Sequence, residues 1–357
     1  MTKSKAYEIL KRKLRNPHTI FLLGAGASSC AGLPGVNELT ELIHSQLHPK
    51  NRSTFEEISQ ALTANGIENP NIEEILSEIC YRLNSLVLSS HKKEGVQDTF
   101  DMICQCIHNT LKVDSPTDYH KEFVSRIVSR REAEPAKKAP PVQIFTTNYD
   151  LLIELACEEL HMVAINGFEG VFRRCWNPKC FDYDIGKATE HAQTPRFEPS
   201  SRHIRLYKLH GSLSWFEDKG IFYETKPGPR SIRKPLIIYP SRLKYAQSIQ
   251  PPFDWLLRRF GDAISKAQLL VCIGYGFADE HLNQYIFAGL NNGLSLIALS
   301  KEQIRALASK SNHHRVSIIT EESTIIDGNN QNEIIDLWAF EKFARWWSEP
   351  LKLDTMG

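Results

Sequence analysis

Apolar residues along the chain fall into two patterns. Short unbroken runs occur at Ile20–Leu23, Val142–Thr147, Ile204–Leu209, Leu269–Ile273, Ser295–Leu299 and Val316–Ile319. Runs of this length, rich in Ile, Val and Leu, predict strands buried on both faces of a parallel sheet. Leu236–Tyr239, between prolines, reads as one more strand. Between the runs the period changes to that of a helix, over residues 4–15, from Val36 onward, over Leu151–Leu160 and from about Asp279. From about 50 to 140 strand-like runs are nearly absent, and Ile72, Ile75, Leu76 and Ile79 mark one face of a helix. That block reads as a helical insertion ending in the polar, proline-containing linker Arg130–Pro141. Residues 162–205 show little periodicity. A last helix, dense in Ile, Leu, Phe and Trp over Glu333–Trp347, is expected to dock on the protein's own core.

These elements predict an α/β fold: a Rossmann-like parallel sheet with helices on both faces, plus a helical insertion. One domain would span 1–357, its core about 17–48 and 141–320, the insertion about 50–140 and the C-terminal helix about 331–347.

Charge adds little pull toward polyanions. Lys+Arg 43 against Asp+Glu 42 leaves a formal net charge of +1, so neither direct nucleic-acid binding nor membrane attachment is expected. No acidic cluster with metal-binding spacing suggests a nuclease. The polar, basic N-terminus shows no secretory signal, no apolar run is long enough to span a bilayer, and the eight scattered cysteines read as reduced thiols. A cytoplasmic location is the resulting expectation.

The unusual residues cluster where strands end. Ile20–Leu23 breaks into Gly24-Ala25-Gly26-Ala27-Ser28. Small residues there let backbone approach a phosphate, and a following helix N-terminus would add a favourable dipole. Thr147-Asn148-Tyr149-Asp150, His210-Gly211 and Gly274-Tyr275-Gly276 follow three further strands. Open α/β sheets bind ligands at such carboxyl ends.

Together these stretches resemble the sirtuin family. Gly24 through Pro34 (Gly-Ala-Gly-Ala-Ser-Ser-Cys-Ala-Gly-Leu-Pro) is similar to its first motif without a gap. Phe145 through Asp150 resembles the family's Thr-Gln-Asn-x-Asp, Lys208 through Leu213 its Leu-His-Gly, and Ile273 through Gly276 stands where the family has a Gly-Thr-Ser turn beside the cofactor. The resemblance implies NAD as substrate, with chemistry at the bond between nicotinamide and ribose. It would give the pyrophosphate to Gly24, Ala25, Gly26 and Ser28, and place Thr147, Gly274, Tyr275 and Gly276 against the cofactor. Asn148 and Asp150 would hold the nicotinamide ribose and amide, or the water beside them. His210 would be the general base toward a ribose hydroxyl, a task that an imidazole suits at neutral pH.

Three departures narrow this. Where the family continues with Asp-Phe-Arg, this chain has Gly35-Val36-Asn37. In place of two Cys-x-x-Cys pairs it offers Cys175 and Cys180, with His161 or His191 as the available further ligands, so no zinc is expected. The Phe-Gly-Glu stretch of the acyl-lysine groove is missing, with Pro235–Pro240 near its place. The resemblance with these departures implies that cofactor chemistry is kept and peptide recognition lost. This combination is similar to divergent sirtuin-like domains of bacterial anti-phage defence, which hydrolyse NAD to nicotinamide and ADP-ribose. That resemblance implies an NAD glycohydrolase that depletes NAD (abortive infection), acting as a homo-oligomer or under a HerA-like ATPase partner. Alternatives are a protein deacylase or ADP-ribosyltransferase, and a binding module that senses NAD or ADP-ribose without turnover.

Overall fold

A computed structural model of the chain describes residues 5–84, 90–133, 141–189, 196–225, 235–237 and 251–348. At its centre lies β1 (Thr19–Leu23), whose five residues are all buried. Side chains alternate along a strand, so Phe21 and Leu23 enter one core layer while Ile20 and Leu22 enter the other. Burial on both faces is why this strand reads as a continuous apolar run. On one side β1 pairs in parallel with β2 (Val142–Thr146), followed by β8 (His203–Lys208) and β3 (Val163–Ile165). On the other it pairs with β12 (Leu269–Ile273), then β13 (Ser295–Leu299) and β14 (Val316–Ile319), all parallel. The chain thus leaves β1 in one direction and returns on the opposite side. That arrangement opens a crevice at the carboxyl ends of β1 and β12.

Helices cover both faces. α1 (Lys5–Lys13), α6 (Asp118–Ala133), α7 (Leu152–Glu159) and α10 (Phe340–Ser348) supply the layer that holds Phe21 and Leu23. α8 (Phe253–Lys266) and α9 (Glu280–Asn291) cover the other side through Leu256, Phe260, Leu282 and Ile286. The Rossmann-like parallel sheet with a helix layer on each face is therefore present.

The helical block forms a third core. α2 (Val36–Gln46), α3 (Pro49–Ala64), α4 (Ile72–Asn84) and α5 (Ser90–Leu111) bury Ile43, Ile58, Ile75, Ile79 and Ile103 against one another. α6 differs: its Phe123, Val124, Ile127 and Val128 pack on the main sheet. Of the linker expected at Arg130–Pro141, residues through Ala133 continue α6, and 134–140 lie outside the described residues.

Four expectations change. No α-helix follows the glycine turn directly; Ala25–Ala27 and Ser29–Ala31 are single 3₁₀ turns, and the next α-helix starts at Val36. The anticipated helix dipole at the loop is therefore absent. The weakly periodic stretch 162–205 begins a second, antiparallel sheet that continues to residue 237. β4 (Phe168–Glu169), β5 (Arg174–Trp176), β9 (Gly211–Asp218), β10 (Ile221–Glu224) and β11 (Pro235–Ile237) form it in the order β11-β9-β10-β5-β4, with β6 (Gly186–Thr189) and β7 (Arg196–Pro199) as a separate pair. The strand read at Leu236–Tyr239 is β11 as far as Ile237, and its remainder lies outside the described residues. Val316–Ile319 is not the last strand, because β15 (Thr324–Ile326) and β16 (Asn329–Asn330) extend the sheet antiparallel. Finally, the tail helix begins at Phe340 rather than near 331. Ile335 and Leu337 are buried and Asp336 exposed, the period of an extended segment, and the Ile335 amide donates to Thr324 Oγ1 at 2.8 Å.

Candidate functional site

The four strand-end motifs meet at the crevice. Gly24 N–H donates to the Ile273 carbonyl at 3.0 Å, and Gly26 N–H to that of Gly274 at 3.0 Å. Two backbone turns touch here with no room for side chains. A Cβ on Gly24 would stand 2.5 Å from Gly274 O, and one on Gly274 would stand 2.4 Å from Gly26 Cα. Gly274 also has φ +61, a left-handed conformation that glycine adopts without strain. The amides of Ala27 and Ser28 donate to the carbonyls of Gly24 and Ala25. Four N–H groups of the loop are thus spent inside the protein. The glycines expected to cradle a pyrophosphate serve first to dock β1 against β12.

Thr147 N–H donates to Leu23 O at 3.0 Å and Leu209 N–H to Thr146 O at 2.8 Å, so the ends of β1, β2 and β8 are stitched together. Asn148 then reaches back across β1. Its Nδ2 donates to Gly24 O at 2.9 Å and to Ser28 Oγ at 2.8 Å. Both amide hydrogens are used, so the group Asn148 can offer a ligand is its carbonyl oxygen. Ser28 Oγ passes its own hydrogen to Asp150 Oδ2 at 2.7 Å, and Asp150 Oδ1 accepts the Leu152 amide at 3.1 Å, at the start of α7. Asn148, Ser28 and Asp150 form one relay anchored on two backbones. Behind it the Lys208 ammonium, 1% exposed, donates to the Asp150 carbonyl and to Glu154. Burial pushes the Glu154 carboxyl up, and the neighbouring Lys208 opposes that shift.

His210 is buried at the end of β8. Its Nε2 lies 2.9 Å from Oδ2 of Asp279, the residue that caps α9. Sequence alone marks Asp279 only as a helix start, because nothing local distinguishes a capping aspartate from one that also meets a histidine distant in the chain. Two phenols stand nearby. Burial, then the Glu73 and Asp279 carboxylates, hold the Tyr149 phenol well above its ordinary range. Burial, Asp279 and Cys272 do the same for Tyr275. Both are hydrogen-bond donors at neutral pH rather than bases.

These groups line a cavity of about 380 Å³. Of the residues predicted from sequence, Gly24, Ala25, Ser28, Thr147, Asn148, Asp150, His210, Gly274, Tyr275 and Gly276 are on its wall; Gly26 lies behind. A Cβ on Gly276 would meet nothing within 4 Å. The opposite wall comes from the helical block, through Ile72, Glu73 and Leu76 of α4 and Ile107 and Leu111 of α5. An adjoining cavity of about 340 Å³ shares Leu111 and, of the four motifs, holds only Leu213. Apolar cover, a few convergent polar groups and a buried imidazole describe a small-molecule site able to exchange a proton.

Among the described residues no group of three or more His, Cys, Asp or Glu is placed to hold a metal ion. Cys175 is half-buried, its Sγ directed to the Arg173 carbonyl; Cys180 is buried; His191 lies outside the described residues. None of the eight cysteines is in a disulfide. Among the described residues no helix is long and apolar enough to cross a membrane.

The sequence profile of the family described as SIR2-like domain matches residues 142–326. No curated protein matches the chain. Similar solved structures include Sir2Tm bound to a propionylated peptide, at 12% identity over 96% of each chain with a TM-score of 0.47. A Sir2 homolog–NAD complex is 13% identical over 95% of each chain, with a TM-score of 0.44. A structure described under the mechanism and regulation of Sir2 enzymes is 14% identical over 85% of this chain and 87% of its own, with a TM-score of 0.42.

Proposed function

The chain belongs to the SIR2-like domain family, and from that premise we propose that it is an NAD glycohydrolase, converting NAD and water to nicotinamide and ADP-ribose. The observation that carries this reading is the convergence of Asn148, Asp150 and His210, from the ends of β2 and β8, on one cavity beside the Gly24 and Gly274 turns. Scission moves the glycosidic electron pair onto nicotinamide and leaves positive charge developing on the ribose. The chain's residues supply what that needs. The Asn148 carbonyl oxygen, fixed by its two donated hydrogen bonds, holds a ribose hydroxyl or a water. His210 takes the proton of a ribose hydroxyl, which in turn takes that of the water adding to the ribose carbon, so the one proton released by hydrolysis leaves on the imidazole. Leu76, Ile107 and Leu111 keep bulk solvent from the reacting face.

Chromatography of NAD incubated with wild type, Asn148→Ala and His210→Ala tests it. Wild type releases nicotinamide and ADP-ribose, and each variant loses at least about 100-fold of that rate while keeping the fold. Near wild-type turnover by either variant removes the assignment.

The same motifs support the finer setting: NAD depletion in anti-phage defence by a cytoplasmic homo-oligomer or a complex with a HerA-like ATPase. A chain that runs as a monomer by light scattering and whose NAD turnover is unchanged by such an ATPase removes that setting and leaves the hydrolase reading standing.

A further inference from the structure

We propose that Asp279 is a positioning residue for His210: it fixes the imidazole with its hydrogen on Nε2, leaving Nδ1 as the atom that accepts the proton. The inference rests on the hydrolase reading above, and the observations behind it are geometric. Each oxygen of the Asp279 carboxylate has a separate task. Oδ1 accepts the His281 and Leu282 amides at 3.0 and 3.4 Å, capping α9, and Oδ2 lies 2.9 Å from His210 Nε2. Held at one end by a helix, the carboxylate cannot turn away from the ring.

The segment leading to it is equally held. Phe277 sits in the left-handed region at φ 54, and Asn283 spans the turn: its Nδ2 donates to Phe277 O at 2.7 Å, its backbone N–H to Asp279 O at 2.9 Å. The Tyr275 hydroxyl donates to Asn283 Oδ1 at 3.3 Å. Tyr275 and Asp279 both line the cavity, so this network joins the first turn of α9 to the site.

An ionised carboxylate only accepts hydrogen bonds, so the nitrogen facing it carries the hydrogen. The neutral ring then has its lone pair on Nδ1. When Nδ1 takes a proton from a ribose hydroxyl, the resulting imidazolium faces Asp279 inside the protein, where a lone cation would be poorly solvated. The other titratable groups on the wall are Glu73, Tyr149, Asp150 and Tyr275. Asp150 is engaged by Ser28 and the Leu152 amide, and the two phenols are held protonated.

The test compares Asp279→Asn with Asp279→Ser in the full chain. Both keep an oxygen that can cap α9, so neither removes the helix start. Asparagine also turns an N–H toward His210 Nε2 and forces the hydrogen onto Nδ1; serine imposes no such tautomer. The expected order of kcat is wild type, then Ser lower by about tenfold, then Asn lower by about 100-fold or more, with KM within about threefold throughout. Loss of the carboxylate also moves the acidic limb of the pH profile to lower pH. A merely structural or space-filling role predicts the reverse, since asparagine is the closer match in shape. Asn at least as active as Ser overturns the inference while the hydrolase reading stands. No turnover by wild type overturns both. Nitrogen NMR of the His210 ring reads the tautomer without substrate: a hydrogen on Nε2 is expected, and one on Nδ1 overturns the proposal.

Discussion

At the residue scale, the site depends on neutral polar groups held beneath it as well as on those facing the cavity. His120 of α6 is buried under the glycine turn, its Nε2 3.1 Å from Ala27 O and its Nδ1 2.7 Å from Thr117 Oγ1. A carbonyl only accepts, so Nε2 bears the hydrogen and Thr117 donates to Nδ1. Burial pushes this imidazole below the ordinary histidine value of 6.5, against the opposing effects of Asp150 and the Ala27 hydrogen bond. As pH falls past that value the unfolded chain takes the proton before the folded one does. The stability of the neutral form is therefore complete above it and is lost as pH falls toward the lower folded value. Denaturation midpoints measured from pH 8 to 5 should fall over the acidic part of the range. His120→Asn should be less stable at pH 8 but show a shallower fall. Parallel curves would place the pH dependence elsewhere, with half-buried His108 the next candidate, since its pKa is lowered too.

At the element scale, α10 shows how an amphipathic tail becomes part of the core. Phe340, Phe343, Ala344 and Trp347 recur at helical spacing, and all four are buried. Trp347 meets Phe21 of β1 at 5.5 Å and Phe123 of α6 at 5.8 Å between ring centroids. It joins the central strand to the layer above. Trp347→Ala should lower unfolding free energy by about 3–5 kcal/mol in denaturant titration; a loss below about 1 kcal/mol would mean that α10 is dispensable. Elements such as this were legible because one face is wholly apolar. The second sheet was not. β9 buries Ser212 and Ser214 beside Leu213, Trp215 and Phe216, so its burial does not follow a polar–apolar alternation. Its two serines instead bond each other at 3.0 Å, and Ser214 donates to Glu224 of β10 at 3.2 Å. The site divides in the same way. Glycines, Asn148 and His210 stand in local motifs, whereas Asp279 and Glu73 join the cavity only through tertiary packing.

At the scale of the whole molecule, the charge on the cavity wall bears on which form of the dinucleotide it takes. Glu73, Asp150 and Asp279 bring three carboxylates, and among the described lining residues there is no Lys or Arg. Asp150 receives Ser28 and the Leu152 amide, and Asp279 receives His210 and the cap of α9. Glu73 comes from the first turn of α4, so the helical block adds charge as well as apolar cover. It also stands close enough to Tyr149 to raise that phenol beyond the effect of burial. A ligand facing Glu73 gains from positive charge there, and the oxidised nicotinamide ring carries one that reduction removes. On the hydrolase reading, the wild-type chain should therefore bind oxidised NAD more tightly than the reduced form. A carboxylate in a partly screened cavity contributes about 1–2 kcal/mol to such a cation, or about five- to thirtyfold in Kd. Calorimetric titration of wild type and Glu73→Gln, each carrying His210→Ala to prevent turnover, with both forms measures the gap. The substitution should weaken oxidised NAD by most of that factor and leave the reduced form within about twofold. Equal weakening of both would make Glu73 a packing residue, and equal binding of both by wild type would show that the wall does not read the charge of the ring.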